Sequence, residues 1–179
     1  MGKITMNNGN IKNIEEGFKK FQRHNKSKNL SKETIDYYQY VFNIFEDFLN
    51  EKDIETFNKV NQNLIETFAL YLQEKDISEN TVNTYLRGVR AFLYFTMNNG
   101  WLSEFHISMI KTTERKPKGY NDQQLKVLLK QPNMDECSFA EYRNWVIVNF
   151  FINTGVRLSE LTNIKIKDLD LSKETVDIS

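Results

Sequence analysis

One stripe of side chains constrains this chain more than anything else in it. Between Ser31 and Glu51 the apolar residues Ile35, Tyr38, Phe42, Phe45 and Leu49 recur at steps of 3, 4, 3 and 4. That spacing puts all five on one face of an α-helix, whereas a strand would scatter them to both sides. Ser31 supplies an N-cap, and Glu33 suits the positive start of the helix. The pattern returns 47 residues later: Ser31-Lys32-Glu33-Thr34-Ile35 aligns with Ser78-Glu79-Asn80-Thr81-Val82, Tyr38 with Tyr85, Phe45 with Phe92 and Phe48 with Phe95. The second copy predicts a helix from Ser78 to Asn98 that turns Val82, Tyr85, Val89, Phe92 and Phe95 inward and stops at Asn99-Gly100. Two copies are too few for a solenoid. They fit two capped helices alike by convergence, or a compact bundle whose long helices play equivalent roles.

Shorter stripes predict helices over 14–25, with Ile14, Phe18 and Phe21, and over 63–74, with Leu64, Ile65, Phe68 and Leu72. Only seven glycines and two prolines interrupt the 179 residues, which favours long helices throughout. The stretch 108–120 is polar, has no apolar period and holds Pro117 close to Gly119, so it reads as a basic linker. Residues 1–10 are expected to form a flexible tail, 11–107 one helical domain and 121–179 the start of a second. In the second, Asn121 can cap a short helix carrying Leu125, Leu128 and Leu129. Residues 141–153 predict a helix apolar nearly all round, which argues for burial, Tyr142 included. Leu169 to Leu171 predicts a turn, and Thr175 to Ile178 a strand. A lone strand needs partners, so the chain is expected to stop inside a sheet.

Formal net charge is zero, yet the charges are sorted along the chain. Residues 1–32 carry 8 basic and 2 acidic side chains, 33–80 carry 3 and 11, 81–121 carry 6 and 2, and 122–179 carry 7 and 9. Two basic segments flanking an acidic one can build a basic face in three dimensions; ordinary scatter on solvated helices is the plainer alternative. Cys137 is the only cysteine, which excludes an intramolecular disulfide and fits a reducing cytosol. The polar, Asn-rich start has no apolar stretch like that of a signal peptide, and no run reaches the roughly 18 apolar residues of a membrane helix. No phosphate-cradling glycine loop and no His/Cys ligand spacing is present, so neither metal nor nucleotide cofactor is expected.

The most informative short stretch runs from Asn153 to Leu161. Gly155 can take the left-handed conformation that ends the preceding helix. Arg157 then falls on a tight bend among Val156, Leu158 and Leu161, and Glu160 can reach back to orient it. An arginine wedged among apolar residues needs a partner, and phosphate is a good one, because the guanidinium is planar, permanently charged and bidentate. A surface Arg–Glu pair after a glycine cap is the alternative.

With these residues the chain resembles the tyrosine recombinase (phage integrase) family. Thr154, Gly155, Val156, Arg157, Glu160 and Leu161 match the family's Thr-Gly-hydrophobic-Arg-x-x-Glu-Leu signature position by position. Ser31-x-x-Thr34-x-x-x-Tyr38 resembles the opening of its core-binding domain, and Leu161 through Asp168-Leu169-Asp170 resembles the approach to its first catalytic strand. The resemblance covers nearly the whole chain. It implies a mainly α fold: a SAM-like core-binding bundle of four to five helices, then the truncated, mostly helical start of an α/β catalytic domain. It also implies a cytoplasmic parent protein that cuts and rejoins DNA strands through a phosphotyrosine intermediate. Its partners would be double-stranded DNA and further recombinase protomers on it, a tetramer in the full-length parent.

Within the resemblance, Arg157 would bind the scissile phosphate and stabilise its transition state, with Glu160 holding it in place. The two long helices would enter adjacent major-groove faces. Lys28, Lys32, Arg87, Arg90, Lys116 and Lys118 would meet phosphates, and Thr34, Asn80 and Asn83 would reach base edges. The departure is equally plain. The family's lysine, second arginine, histidines and tyrosine nucleophile all follow this motif, whereas His24, His106 and the last tyrosine, Tyr142, precede Arg157. The activity therefore belongs to the parent protein, and these residues alone are expected to be inactive. A helical module that acts by DNA occupancy or protein contacts, with no chemistry, is the alternative.

Overall fold

The computed structural model describes residues 12–113 and 119–178. The expected tail over 1–10 lies outside the described residues, as do Lys116 and Lys118. Two compact units divide the chain, Met1–Arg115 and Lys116–Ser179.

The first unit is a bundle of α1 (Ile14–Ser27), α2 (Lys32–Asn50), α3 (Gln62–Gln73) and α4 (Glu79–Asn98). Each helix begins where the sequence offers a cap. The side-chain oxygens of Asn13, Ser31, Asn61 and Ser78 accept the backbone N–H of Glu16, Thr34, Leu64 and Thr81, each cap contributing about 1 kcal/mol. The stripes then converge: Phe45, Phe48, Phe68, Phe92, Leu72, Leu86 and Leu93 are fully buried. Phe18 lies flat on Phe42 with centroids 3.7 Å apart and edge-on to Phe92 at 5.4 Å. Burying one phenyl side chain contributes about 1.5–3 kcal/mol, and a well-oriented ring pair adds about 0.5–1.5 kcal/mol. Aromatic and aliphatic burial together therefore hold this unit, with the ring pairs adding their own orientation energy.

The internal repeat becomes a physical pairing. The Tyr37 hydroxyl donates to the Thr84 carbonyl at 2.6 Å, and Val41 lies against Gly88, so residues 47 apart meet where α2 crosses α4. A Cβ on Gly88 would stand 2.8 Å from Val41 Cγ1, so the glycine lets the two backbones approach. After Gly100, which turns the chain at φ 71°, residues 102–113 pack on the bundle without helix or strand. Leu102 and Ile107 are buried, and Met109 and Ile110 partly so. The first part of the expected linker, 108–113, is thus fastened to the bundle through its two apolar side chains.

The second unit holds α5 (Asp122–Leu128), α6 (Phe139–Thr154), α7 (Leu158–Asn163) and a hairpin of β1 (Leu169–Asp170) with β2 (Thr175–Val176). The strands are antiparallel, Leu169 opposite Val176 and Asp170 opposite Thr175. The segment expected to be only a turn therefore supplies the partner strand, and the turn falls on 171–174, where Asp170 accepts from the Ser172 hydroxyl and Glu174 takes φ 54°. The burial expected of α6 is overturned. Val156 is the only buried residue among those described in this unit, while Phe139 is 78% exposed and Tyr142 37%. A helix apolar on every side needs covering layers on every side. Here the end of α5 covers part of one side, the Trp145 indole donating to the carbonyl of the C-cap residue Leu129 at 3.0 Å.

Candidate functional site

The bend at 154–160 is built by consecutive hydrogen bonds. The Thr154 hydroxyl donates back to the Phe150 carbonyl at 2.6 Å, and the Gly155 N–H to Phe151 at 2.9 Å. Gly155 takes φ 67°, a conformation that carries little cost only for glycine. The chain then sends Val156 inward and begins α7 at Arg157. Glu160 closes the turn with both oxygens. One accepts the Arg157 backbone N–H at 2.8 Å, and the other accepts the guanidinium Nη1 at 2.8 Å. The backbone bond first, and the guanidinium second, hold the Glu160 carboxyl below its ordinary range.

The expected wedge of Arg157 among apolar residues is corrected. Its side chain is 82% exposed, against 26% for Glu160, and Leu158 is 67% exposed beside it. The Gly155 turn assigns the inward position to Val156, so the next side chain must point out. What survives is the orientation by Glu160. One of the five guanidinium N–H donors is used, and the others have no protein partner among the described residues. An oriented cation with spare donors can take a phosphate or carboxylate.

In the bundle, Lys28 caps the end of α1 and Lys32 opens α2, both exposed and separated by one short turn. Asn80 and Arg87 are exposed on α4, and Arg90 is half-buried. Thr34 is half-buried, with its N–H on the Ser31 hydroxyl at 3.3 Å and its own hydroxyl 3.1 Å from the same oxygen. Asn83 departs from expectation: it is 4% exposed and spends its amide on Ile110. A surface role for it is excluded by that burial.

The crossing brings Tyr40, which the sequence pattern did not single out, to Tyr85, which it expected to turn inward and which is half-buried. Tyr40 and Tyr85 place their hydroxyls 3.2 Å apart on the exposed side. Burial pushes the Tyr37 phenol up, and the nearby Arg87 charge draws it partly back. α1 runs back along α2, with Phe18 on Phe42 and the Gln22 amide 3.4 Å from the Ile35 carbonyl. This antiparallel pairing sorts charge lengthwise. Arg23, Lys26, Lys28 and Lys32 outnumber Glu33 and Asp36 at one end, and Glu15, Glu16, Glu46, Asp47, Glu51 and Asp53 outnumber Lys12, Lys19, Lys20 and Lys52 at the other. The signal for it was the uneven charge along the sequence. Among the described residues no group of His, Cys, Asp and Glu could hold a metal ion, and no helix is long and apolar enough to cross a membrane.

Comparison with known proteins fits this geometry. A family model described as the phage integrase SAM-like domain matches residues 13–113. Tyrosine recombinase XerC of Bacillus licheniformis is 30% identical over 152 residues, covering 83% of this chain and 49% of its own length. XerC of Halalkalibacterium halodurans is 28% identical over 152 residues, covering 83% and 50%. The chain thus spans about half the length of the curated relatives it matches. Among solved structures, the Tn1549 transposon integrase, in complex with circular intermediate DNA, superposes with a TM-score of 0.71. The match covers 94% of this chain and 54% of that one, at 18% identity. The N-terminal domain of a phage integrase/site-specific recombinase from Haloarcula marismortui superposes with a TM-score of 0.50, over 54% of this chain and 96% of that one, at 15% identity. At such identities these two structures speak for the fold.

Proposed function

Because the chain belongs to the phage integrase family of tyrosine recombinases, we propose that its bundle grips double-stranded DNA and its second unit presents Arg157 to a backbone phosphate. The observation that carries this reading is Arg157 itself, an 82% exposed guanidinium held on a fixed bend by Glu160. A point charge on a mobile stem would bind any anion loosely; an oriented planar fork suits the paired oxygens of a phosphate. Charge sorting along the bundle supports the first half of the reading, and the Tn1549 integrase, whose fold this chain shares, was solved holding DNA.

In this reading Lys28, Lys32, Arg87 and Arg90 neutralise phosphates, joined by Lys116 and Lys118 outside the described residues. Thr34 and Asn80 face base edges. Arg157 stabilises the charge that develops on the scissile phosphate, and Glu160 keeps it aimed. Losing one such preorganised donor typically costs about 3–4 kcal/mol of barrier. A strand-transfer reaction also needs a nucleophile. No tyrosine follows Arg157 in these 179 residues, so strand exchange is proposed only for a protein that also carries the family's tyrosine. Such a protein would act in the cytoplasm, as a tetramer of protomers on DNA.

The test is titration of labelled duplexes carrying a candidate recombination site, at several salt concentrations. Six phosphate-facing cations predict a log–log salt slope of about −5. Salt-independent binding, or none at the lowest salt, overturns the proposal. On a denaturing gel the 179-residue chain should leave no covalent adduct with a suicide substrate; an adduct would refute the assignment of the chemistry to a missing tyrosine.

A further inference from the structure

The segment that leaves α4 doubles back along it. Ile107, which is buried, brings its N–H to 3.5 Å from the Tyr94 hydroxyl, Ile110 pairs with Asn83, and Thr113 meets Glu79. Six extended residues span about 20 Å, and the fifteen helical residues from Tyr94 back to Glu79 rise about 22 Å. The segment is therefore drawn out nearly straight, antiparallel to the helix, and ends at its amino terminus.

Two polar grips hold it there. The Asn83 amide donates to the Ile110 carbonyl at 2.9 Å and its oxygen accepts the Ile110 N–H at 2.9 Å. One side chain thus supplies both hydrogen bonds that a neighbouring strand would make. Asn83 is 4% exposed, so losing Ile110 would strand two buried polar atoms. At the end of the segment, Glu79 accepts both the Thr113 N–H at 2.8 Å and the Thr113 hydroxyl at 2.9 Å on one carboxylate oxygen.

We propose that Asn83 and Glu79 are positioning residues. They latch residues 107–113 onto α4 and fix the point, at the amino end of that helix, from which the chain departs toward the second unit. Residues 114–120 separate Thr113 from the α5 cap, Asn121, and a chain of that length reaches at most about 29 Å. With the latch open and Ile107 the last anchored residue, the reach grows to about 50 Å. The volume open to the second unit rises about fivefold, and its effective concentration at the bundle falls to match. Where this matters for DNA, it rests on the proposed function: the shorter tether keeps the Arg157 unit at a higher effective concentration on a duplex that the bundle holds.

The experiment uses the whole 179-residue chain. Backbone hydrogen exchange reads the two grips directly. Spin labels on Cys137, the only cysteine, and on Asn98→Cys read the distance between units. The latch predicts protected Ile110 and Thr113 amides and one bounded distance distribution. Asn83→Ala should speed exchange at Ile110 at least tenfold, and Glu79→Ala should do so at Thr113. Both should extend the distribution to longer distances. Thr113→Pro, at an exposed site outside the core, should lengthen it without lowering the melting temperature, which separates positioning from stability. Unprotected amides in the wild type, or a distribution unchanged in Thr113→Pro and the Glu79→Ala/Asn83→Ala double variant, overturns the latch. Duplex affinity should fall about two- to fivefold in the variants. Longer distances with unchanged affinity would uphold the latch and overturn its role in DNA binding.

Discussion

Gly88→Ala tests the closest approach in the bundle. On an open helix face this substitution stabilises by about 1 kcal/mol, because alanine has the higher helix propensity. Here the added methyl would stand 2.8 Å from Val41 Cγ1, 3.1 Å from Val41 Cβ and 3.1 Å from the Tyr37 hydroxyl. Val41 is 1% exposed and β-branched, with essentially one side-chain rotamer in a helix, so its methyl cannot turn aside. Its Cβ is fixed to the backbone, so α2 itself must move off, lengthening the Tyr37–Thr84 bond. Overpacking costs about 1–3 kcal/mol, and the weakened hydrogen bond about 0.5–1.5 kcal/mol. Crowding therefore outweighs propensity by about 1–3 kcal/mol, which lowers the melting temperature of a bundle this size by on the order of 10 °C. Thermal and urea unfolding followed by circular dichroism would measure it. In a double-mutant cycle, Val41→Ala should cost about 1–2 kcal/mol less in the Gly88→Ala background than in the wild type. A raised melting temperature, or simple additivity, would refute the crossing as described.

Other expectations are narrower. Ser31→Ala and Ser78→Ala should each destabilise the bundle by about 1 kcal/mol in the same unfolding assay, since each removes an N-cap acceptor. Tyr37→Phe should cost about 0.5–1.5 kcal/mol, read the same way, through loss of the bond to Thr84. The Glu160 carboxyl has a depressed folded value. Its contribution to the bend should be complete above the unfolded carboxylate value of about 4.3 and lost as pH falls through the folded value. A carboxyl titration by nuclear magnetic resonance checks the sign, and Glu160→Gln should abolish that acid-side change. Arg157→Ala should leave stability within about 0.5 kcal/mol, because the removed side chain is exposed, as differential scanning calorimetry can establish.

The four bundle helices were legible to within two residues, because period and caps are both local signals. Asn121 and the Gly155 turn were legible for the same reason. What failed was burial. Asn83 looks like any polar residue near a helix start, since its partner is a backbone unit 27 residues on that no local pattern announces. Arg157 was expected among its apolar neighbours, but a chain turning at Gly155 sends adjacent side chains to opposite sides. The all-apolar face of α6 predicted a buried helix, and periodicity cannot tell how many layers a unit brings to cover one. Gly88 passed unnoticed in the sequence because its role lies in another helix. Tyr40 and Tyr85 meet only once α2 and α4 cross.

The lengthwise sorting of charge along α1 and α2 has a further consequence for how the protein behaves in bulk. An excess of positive charge at one end of that pair and of negative charge at the other gives the bundle a lengthwise dipole contribution, which favours end-to-end attraction of neighbouring molecules near the sequence isoelectric point of 6.8. Its solubility should pass through a minimum there in dilute buffer. Added salt should dissolve it rather than precipitate it, since at about 0.15 M the Debye length falls to about 8 Å, well short of the roughly 28 Å length of α2. Concentrated stocks would then cloud on dialysis into water and clear on return to saline.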